Sequence, residues 1–358
     1  MDSIQKHIYV LILAGGGGTR LWPYSREDSP KQFAQLFAGK SLYELTLARA
    51  KKLTSPSRIF ISTSVKYFDF VCRSSRGIPL ENIIPEPIRR DTALAHGLGA
   101  LYIYHRDPEA AVINLASDHL ISPISTFIVQ MKTAAKIAFD TNQYVAVGIS
   151  PLFPHTGMGY IKFKKQVGLK FVEKPQLALA QKYTASRQYL WNANLYVYRA
   201  KLYLDLLKKH SPKTFAMFPK IATAIGTDRE KQVISLAFQM APSISIDYAV
   251  SEKLKSFVCL KAQFNWTDVG DWQEVWKNLP QDKLGNVISG PHGQGQYIGI
   301  DSLNNLLFLD KQLVATAGVS DMVIVDTPDA ILICPRNDSQ AVKKIVQALK
   351  DQKLLEYT

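Results

Sequence analysis

Short runs of β-branched or aromatic residues alternate with longer amphipathic segments from residue 8 to about residue 275, and this alternation constrains the fold most. The predicted strands are Ile8–Leu13 and residues 58–62, 111–115, 144–149, 168–171 and 195–198. The predicted helices between them are Leu42–Leu53 and residues 92–104, 127–140 and 246–255. Such alternation predicts an α/β fold with an open, mixed but mostly parallel sheet and helices on both faces. Ligands of such sheets bind beyond the carboxyl ends of the strands.

The pattern changes after about residue 283 to brief β runs that turn residues separate. These runs are residues 297–300, 306–309, 313–315, 322–325 and 330–333. They predict a small all-β module, with a solenoid as one possibility, followed by a capped helix over residues 338–351. We therefore predict two domains, residues 1–280 and 281–358, packed together because no linker rich in Gly, Pro or Ser separates them.

The composition excludes a largely disordered or fibrous protein, since 47% of the 358 residues are hydrophobic and 20% are charged. The 43 Lys and Arg against 30 Asp and Glu give a net charge of +13, which fits nucleic acid or a polyanionic small molecule. The basic residues are dispersed, and the chain contains neither zinc-finger spacing nor an aromatic ribonucleoprotein motif. We therefore expect the phosphates of a small molecule and no nucleic-acid partner.

Cysteine usage and hydropathy bear on the compartment. Cys72, Cys259 and Cys334 lie far apart, which predicts no disulfide framework and favours the reducing cytoplasm. The apolar run over residues 8–14 is far shorter than the ~18 residues that a membrane helix needs, and it leads directly into glycines. We interpret it as a buried strand and expect no membrane partner.

Four glycines, Gly15 to Gly18, follow this first strand. Without Cβ atoms their backbone amides can approach a phosphate chain. The dinucleotide fingerprint fails because Arg20 stands where a third glycine is needed, and the Walker motif fails because Arg20-Leu21-Trp22 replaces Gly-Lys-Ser/Thr. Arg20 and Lys31 can instead supply fixed positive charge to a triphosphate.

Carboxylates stand in three loop-like segments. Asp118 follows the strand at 111–115, and Asp268 lies in a tryptophan-flanked segment, so the two could share one Mg²⁺ with phosphate oxygens. Distant aspartates of this kind are also common as helix caps or turn residues. Glu173 and Lys174 end another strand and could bind sugar hydroxyls and a phosphate, or simply form an exposed strand end.

Taken together, these segments resemble the sugar-1-phosphate nucleotidyltransferases, and specifically the mannose-1-phosphate guanylyltransferases. Residues 14–26 read AGGGGTRLWPYSR and residues 30–33 read PKQF, which is similar to the signature of that family nearly letter for letter. Further matches follow in family order at Glu86-Pro87 and at residues 90–93, 117–119, 156–161, 171–175, 245–249 and 266–272. The resemblance covers essentially the whole chain.

The resemblance implies a Rossmann-like nucleotidyltransferase domain followed by a small left-handed parallel β-helix. It implies the transfer of GMP from GTP to α-D-mannose 1-phosphate, which gives GDP-mannose and pyrophosphate by Mg²⁺-assisted in-line attack on the α-phosphorus. Longer relatives append an isomerase domain, and this chain ends before one could begin, so we expect the single transferase activity. A homodimer is a further expectation.

The resemblance also assigns roles to residues. The catalytic group is Arg20, Lys31, Asp118 and Asp268, of which Asp118 and Asp268 would hold the metal. The nucleotide-binding group is Ala14, Gly15, Gly16, Gly17, Gly18, Thr19, Arg20, Pro85, Glu86, Asp91, Thr92 and Ser117. The group that binds the sugar phosphate is Gly157, Gly159, Tyr160, Glu173, Lys174, Asn192 and Asp247.

One departure leaves alternatives open. The chain has Trp191-Asn192-Ala193-Asn194 where family members usually have Trp-Asn-Ser-Gly, and this segment lies beside the predicted sugar pocket. A sister enzyme that acts on another sugar phosphate, such as a heptose or fucose phosphate, or that uses another base, is one alternative. A non-catalytic regulatory homologue is the other.

Overall fold

The computed structural model describes residues 3–291 and 295–358, and the chain divides into two compact units. The first unit consists of residues 3–15, Leu47–Ala116 and Ile121–Trp266. The second unit consists of Gly16–Thr46, Ser117–Leu120 and Thr267–Thr358, so it is assembled from three separate stretches of the chain. The predicted boundary between residues 280 and 281 stays a prediction.

The strands and helices follow in chain order. The strands are β1 Ile8–Leu13, β2 Gln35–Phe37, β3 Lys40–Ser41, β4 Ile59–Ser64, β5 Ile83–Glu86, β6 Ala111–Ala116, β7 Leu120–Ser122, β8 Val145–Ile149, β9 Gly159–Lys164, β10 Val167–Val172, β11 Tyr189–Arg199, β12 Phe257–Lys261, β13 Asn265–Thr267, β14 Val287–Ser289, β15 Gln296–Ile300, β16 Leu306–Phe308, β17 Leu313–Ala317, β18 Met322–Asp326 and β19 Ile331–Pro335. The α-helices are α1 Leu42–Leu53, α2 Phe68–Ser74, α3 Asp91–Arg106, α4 Ile124–Thr141, α5 Leu177–Ser186, α6 Ala200–His210, α7 Pro212–Phe215, α8 Phe218–Ala224, α9 Glu230–Met240, α10 Ile246–Ala249, α11 Trp272–Asn278 and α12 Val342–Asp351.

A mixed sheet in the order β5-β4-β1-β6-β11-β8-β12-β10-β9 forms the centre of the first unit. β1 lies parallel to β4 and to β6, which explains its uninterrupted apolar sequence, because interior parallel strands are buried on both faces. β11 runs antiparallel to β6 and β8, and β9 and β10 pair as an antiparallel hairpin. The α/β class is thus confirmed, and β9, β10 and β11 supply the antiparallel part of the sheet.

Two glycines of helix α3 allow close packing, Gly99 against β1 of the sheet and Gly97 against helix α8. A Cβ atom at Gly99 would lie 2.5 Å from Leu11 Cδ1 and Cδ2, and one at Gly97 would lie 2.5 Å from Phe218 Cζ. Leu11 and Phe218 both belong to the large apolar core of the first unit. The absence of these two side chains therefore lets α3 approach both the sheet and α8.

Parallel coils form the C-terminal part of the second unit. β14, β16 and β18 pair in parallel, and β19 pairs antiparallel with β18 at the edge of the same four-stranded sheet. β15 and β17 form a separate parallel pair. Between coils, Asn286 Oδ1 accepts the Asn305 N–H at 2.9 Å, and Asn305 Oδ1 accepts the Met322 N–H at 2.9 Å. The pairing confirms the predicted β-helix-like module, while its left hand stays a prediction.

Three predicted elements differ in extent. The helix expected over 246–255 ends at Ala249, because the buried Val250 leaves helical dihedral angles (φ −131°, ψ −59°), and a 3₁₀ turn follows at Ser251–Lys253. β11 begins at Tyr189 rather than residue 195, because Asn192 and its neighbours pair with β8 and β9 despite their polarity. The terminal α-helix begins at Val342, after a 3₁₀ segment over Arg336–Ala341.

Two simpler expectations concern membranes and disulfides. Within residues 3–291 and 295–358, none of the helices combines the length and the apolar character needed to cross a membrane. Cys72, Cys259 and Cys334 are free cysteines in the described part of the chain, and the latter two are buried.

The core of the second unit yields a stability prediction. Phe308 is fully buried between the rings of Tyr24, at 4.8 Å, and Trp272, at 5.3 Å. Phe308→Ala should therefore lower the free energy of unfolding of this unit by about 3–5 kcal/mol, because a cavity replaces the ring. Ile298→Ala is the matched control, since that side chain is 56% exposed and its loss should cost about 0.5 kcal/mol or less. Urea denaturation that gave equal losses for both variants would contradict this core.

Candidate functional site

In the second unit, the Lys31 ammonium group lies at the centre of a polar cluster formed with Asp118, Asp268 and Val269. Its side chain is only 5% exposed, and it begins a short 3₁₀ helix, Lys31–Phe33. Lys31 Nζ donates to the carbonyl oxygens of Asp268 at 2.5 Å and Val269 at 3.3 Å, and it lies 3.0 Å from Asp118 Oδ2. The structure thus brings together three predicted catalytic residues that are distant in sequence.

Asp118 is held in its ionised form by its neighbours. Burial raises the pKa of the Asp118 carboxyl, but the charges of Lys31 and His119 and the hydrogen bond from Lys31 outweigh it, so the pKa lies below the usual 3.8. The side chain nevertheless remains 33% exposed. An ionised, accessible carboxylate of this kind suits a hard cation such as Mg²⁺.

Arg20 and the Asp268 carboxylate lie on the same side of Gly270. A Cβ atom at Gly270 would be 3.5 Å from Arg20 Nη1 and 3.5 Å from both carboxylate oxygens of Asp268. Val269, which lies between Asp268 and Gly270 in the chain, is fully buried and has a φ of 45°, which is unusual for a β-branched residue. Strain of about 1–3 kcal/mol at such a residue persists only where surrounding contacts impose it. The bond from Lys31 to the Val269 carbonyl is one such contact.

The glycine run is divided between the two units. In the second unit, a Cβ at Gly18 would lie 2.8 Å from Lys31 Cγ, so the lysine stem packs directly on this glycine, and Gln32 Nε2 donates to the Gly16 carbonyl at 2.5 Å. In the first unit, a Cβ at Gly15 would lie 3.6 Å from Glu86 Oε1. The backbone of Ala14 is bonded to β4, since its N–H donates to the Ser62 carbonyl at 2.8 Å.

Four residues of the predicted nucleotide-binding group lie at the end of β5 and the start of α3. Glu86 is buried and accepts a hydrogen bond from Ser62 Oγ at 2.7 Å, and burial raises its pKa against the effects of that bond and of Arg89. Asp91 has a φ of 61°, and its Oδ1 accepts from the Thr92 N–H at 2.7 Å. The Thr92 hydroxyl accepts from the Ile246 N–H at 2.9 Å, so it joins α3 to α10. Pro85 lies beside Thr63 in the β4–β5 pairing.

In the first unit, Gly159 lies between two side chains that were predicted to bind the sugar. Gly159 pairs with Asn192 across β9 and β11. A Cβ atom at Gly159 would lie 2.5 Å from Glu173 Oε2 and 3.5 Å from Asn192 Nδ2. The missing side chain therefore leaves room for a carboxylate and an amide to approach each other across the glycine, and both groups can bind hydroxyls.

Lys174 adds a positive charge beside Glu173. Its Nζ lies 2.5 Å from Glu173 Oε1, and its backbone has a φ of 41°. The hydrogen bond to Glu173 raises the pKa of Lys174, with smaller contributions from the charges of Asp247 and Tyr248, while burial opposes them. The ammonium group is therefore positively charged at neutral pH.

Two residues that bond to members of the predicted sugar-phosphate group were missed from the sequence. His155 Nδ1 accepts from the Gly157 N–H at 2.9 Å, and the His155 N–H donates to the buried Tyr160 hydroxyl at 2.9 Å. Tyr196 is fully buried, and its hydroxyl donates to Asp247 Oδ1 at 2.6 Å. His155 adjoins the matched segment at 156–161, whereas a tyrosine inside an apolar strand gives no sequence indication of such a role.

Family comparisons agree along the chain. A family described as "Nucleotidyl transferase" matches residues 9–283, and one described as "MannoseP isomerase/GMP-like beta-helix domain" matches residues 295–349. The chain is 36% identical to "Mannose-1-phosphate guanylyltransferase 2" of Escherichia coli O157:H7, over 98% of this chain and 75% of that protein. It is 35% identical to "Mannose-1-phosphate guanylyltransferase" of Escherichia coli strain K12, over 97% of this chain and 74% of that protein.

A solved structure is similar along nearly its whole length. The crystal structure described as "mannose-1-phosphate geranyltransferase" from Thermus thermophilus superimposes with a TM-score of 0.86 at 31% identity. The superposition covers 96% of this chain and 99% of that one. The similarity extends over both the nucleotidyl transferase and the β-helix segments.

The environment of Asp247 yields a pH prediction. Burial raises its pKa from the usual 3.8 to about 6, and the charge of Glu173 adds to this, against the bonds from Tyr196 and Asn192 and the charge of Lys174. Between pH 4 and 6 the folded protein keeps a proton that the unfolded chain has lost. This residue's contribution to stability should therefore fall by about 3 kcal/mol as pH rises through that window.

Urea denaturation of the wild type and of Asp247→Asn at several pH values measures this dependence. The difference between the two proteins should change by about 3 kcal/mol between pH 4 and 6. Asp205→Asn is the control, because this exposed carboxylate on α6 pairs only with the exposed Lys201 among the ion pairs of the described chain. Parallel curves for the wild type and Asp247→Asn would contradict the raised pKa.

Proposed function

The chain belongs to the mannose-1-phosphate guanylyltransferases, a group of nucleotidyl transferases, and we propose that it transfers GMP from GTP to α-D-mannose 1-phosphate, giving GDP-mannose and pyrophosphate. The observation that supports this most directly is the cluster around Gly159, where the Glu173 carboxylate lies near the Asn192 amide and is bonded to the Lys174 ammonium group. We assign Glu173 and Asn192 to the sugar hydroxyls and Lys174 to the sugar phosphate. A carboxylate, an amide and an ammonium group together match a phosphorylated sugar better than they match an uncharged one.

The triphosphate is assigned to the cluster of the second unit. Gly16, Gly17 and Gly18 leave backbone amides open to phosphate oxygens, and Arg20 supplies a guanidinium that can bind two of them at once. A phosphate oxygen of the sugar forms the new bond to the α-phosphorus while the bond to the departing pyrophosphate breaks. Because this oxygen is already anionic, the reaction needs no general base, and positioning with charge neutralisation lowers the barrier.

Asp118 and Asp268 are proposed to hold Mg²⁺. Asp118 fits this role because it is ionised and partly exposed, and Asp268 lies beside Arg20 in the same unit. In the part of the chain that the structure describes, no cluster of three or more His, Cys, Asp or Glu residues could hold a metal alone. Two carboxylates suit Mg²⁺, which commonly takes its other ligands from phosphates and water. When bound, the ion would neutralise phosphate charge and orient the reacting groups.

The compartment and the assembly form part of the same proposal. We place the reaction in the cytoplasm, since Cys72, Cys259 and Cys334 are free cysteines in the described part of the chain, which suits a reducing environment. A homodimer is the assembly that we expect.

The direct test is a pyrophosphate-release assay of the purified protein. GTP with mannose 1-phosphate and Mg²⁺ should give the highest kcat/KM in a panel of nucleoside triphosphates and of mannose, glucose, fucose and heptose 1-phosphates. Chelation of the metal with EDTA should abolish turnover. Preference for another sugar would replace the substrate, and an absence of turnover with every pair would refute the enzymatic proposal.

Lys174→Ala tests the assignment of the sugar phosphate. Loss of a charged hydrogen-bond donor should raise the KM for mannose 1-phosphate about 10- to 100-fold and leave the KM for GTP within about twofold. Lys174→Arg should restore part of the affinity because it keeps the positive charge. Lys201→Ala, which removes an exposed lysine of α6, is the control and should match the wild type. An unchanged KM for mannose 1-phosphate in Lys174→Ala would remove this lysine from the phosphate site.

A further inference from the structure

The side-chain amide of Asn192 has three hydrogen-bonding neighbours, and two of them can act in only one direction. Its Nδ2 donates to Asp247 Oδ1 at 2.8 Å, while its Oδ1 accepts from the Asn194 N–H at 3.2 Å and lies 2.8 Å from the Tyr196 hydroxyl. An ionised carboxylate can only accept, and a backbone N–H can only donate. The amide therefore has one orientation. In the reversed orientation its oxygen would face the Asp247 carboxylate, which is also an acceptor, and its nitrogen would face the Asn194 N–H, which is also a donor.

Asp247 carries out this task from a buried position. Its side chain lies at the start of α10 with the residue only 5% exposed, and its Oδ1 also accepts from the Tyr196 hydroxyl at 2.6 Å. Both of these bonds to Oδ1 come from β11. The carboxylate thus contacts the strand that carries Asn192.

The fixed orientation determines which group of the Asn192 amide faces a ligand. Asn192 Nδ2 carries two hydrogens, and one of them is used by Asp247. The same nitrogen lies 3.5 Å from the position that a Cβ at Gly159 would take, and Glu173 Oε2 lies 2.5 Å from that position. A donor and an acceptor therefore stand side by side across the glycine.

We propose that Asp247 is a positioning residue for sugar recognition, which acts through Asn192 by fixing its amide so that an N–H stands beside the Glu173 carboxylate. This inference rests on the proposed function and deepens it. The matching ligand has two neighbouring hydroxyls, one that accepts from Asn192 and one that donates to Glu173. Asp247 itself makes no bond to the sugar and takes no part in the chemical step.

A double-mutant cycle on the full chain separates this role from direct binding. The readouts are the Kd for mannose 1-phosphate by titration calorimetry, together with KM and kcat. Asp247→Ala and Asn192→Ala should each weaken binding about tenfold, with kcat within about twofold of the wild type. If Asp247 acts through Asn192, the double variant should bind as weakly as Asn192→Ala alone. Multiplied effects in the double variant would overturn the proposal, as would a change confined to kcat.

Selectivity supplies a readout that a general loss of packing would not move. The ligands are mannose 1-phosphate and its 2-, 3- and 4-deoxy analogues. The wild type should bind mannose 1-phosphate more tightly than the analogue that lacks the hydroxyl bound by Asn192. Asp247→Ala should lose most of this preference while it keeps the preference that depends on Glu173. Loss of both preferences, or of neither, would overturn the proposal.

Further variants keep the cycle interpretable. Asp247→Asn preserves the shape of the side chain and replaces Asp247→Ala if the latter does not fold, and its effect should also vanish in the Asn192→Ala background. Tyr203→Phe is the control, because it removes another fully buried tyrosine hydroxyl, whose bond goes to the Ala93 carbonyl, and it should change Kd by less than about twofold. Calorimetric binding without turnover in the wild type would refute the proposed transfer reaction alone, whereas absent binding would refute both proposals.

Discussion

The second unit depends on one buried ammonium group. Lys31 comes from the stretch Gly16–Thr46, Asp118 from Ser117–Leu120, and the carbonyls of Asp268 and Val269 from Thr267–Thr358. The bonds of Lys31 Nζ therefore join its own stretch to the other two from which the unit is assembled. Removing one partner of a buried ion pair typically costs about 3–5 kcal/mol, because the other charge is left uncompensated. The glycine at position 18 and the left-handed Val269 follow from this contact, since the one admits the lysine stem and the other turns its carbonyl towards Nζ.

The same contact limits how Lys31 can act on a substrate. An ammonium group has three donors, and Asp118, Asp268 and Val269 supply three acceptors. The charge of Lys31 is therefore fixed in place. It would act on a phosphate through its electrostatic field and by positioning Asp118 and Asp268, whereas a direct bond would require a phosphate oxygen to replace one of the three acceptors. Arg20 carries a planar guanidinium, which suits direct, two-pronged contact with phosphate oxygens.

The sequence predicted what local patterns determine. The apolar run of β1 and the glycines after it were recognisable because each depends on neighbouring residues, and the family was recognisable because its motifs are contiguous. The bond from Lys31 to Asp268 joins residues 237 positions apart, so no spacing rule predicts it, although the resemblance named both residues. Asn192 was named, but the strand around it was not, because its polar residues conceal the β-pattern that pairing with β8 and β9 imposes. The assigned roles of these residues stay predictions.

Asp247 and Lys31 show how a buried charge can set the orientation of the polar groups that it binds. Each is an ion that hydrogen-bonds in one direction only: Lys31 turns carbonyls and a carboxylate towards itself, and Asp247 turns an amide nitrogen and a phenol towards itself. A neutral partner such as Ser or Gln could satisfy the same atoms but would accept either orientation. Burial raises the pKa of Asp247 to about 6, so a fixed orientation of the Asn192 amide carries a desolvation cost, and the hydrogen bonds from Tyr196 and Asn192 oppose that cost.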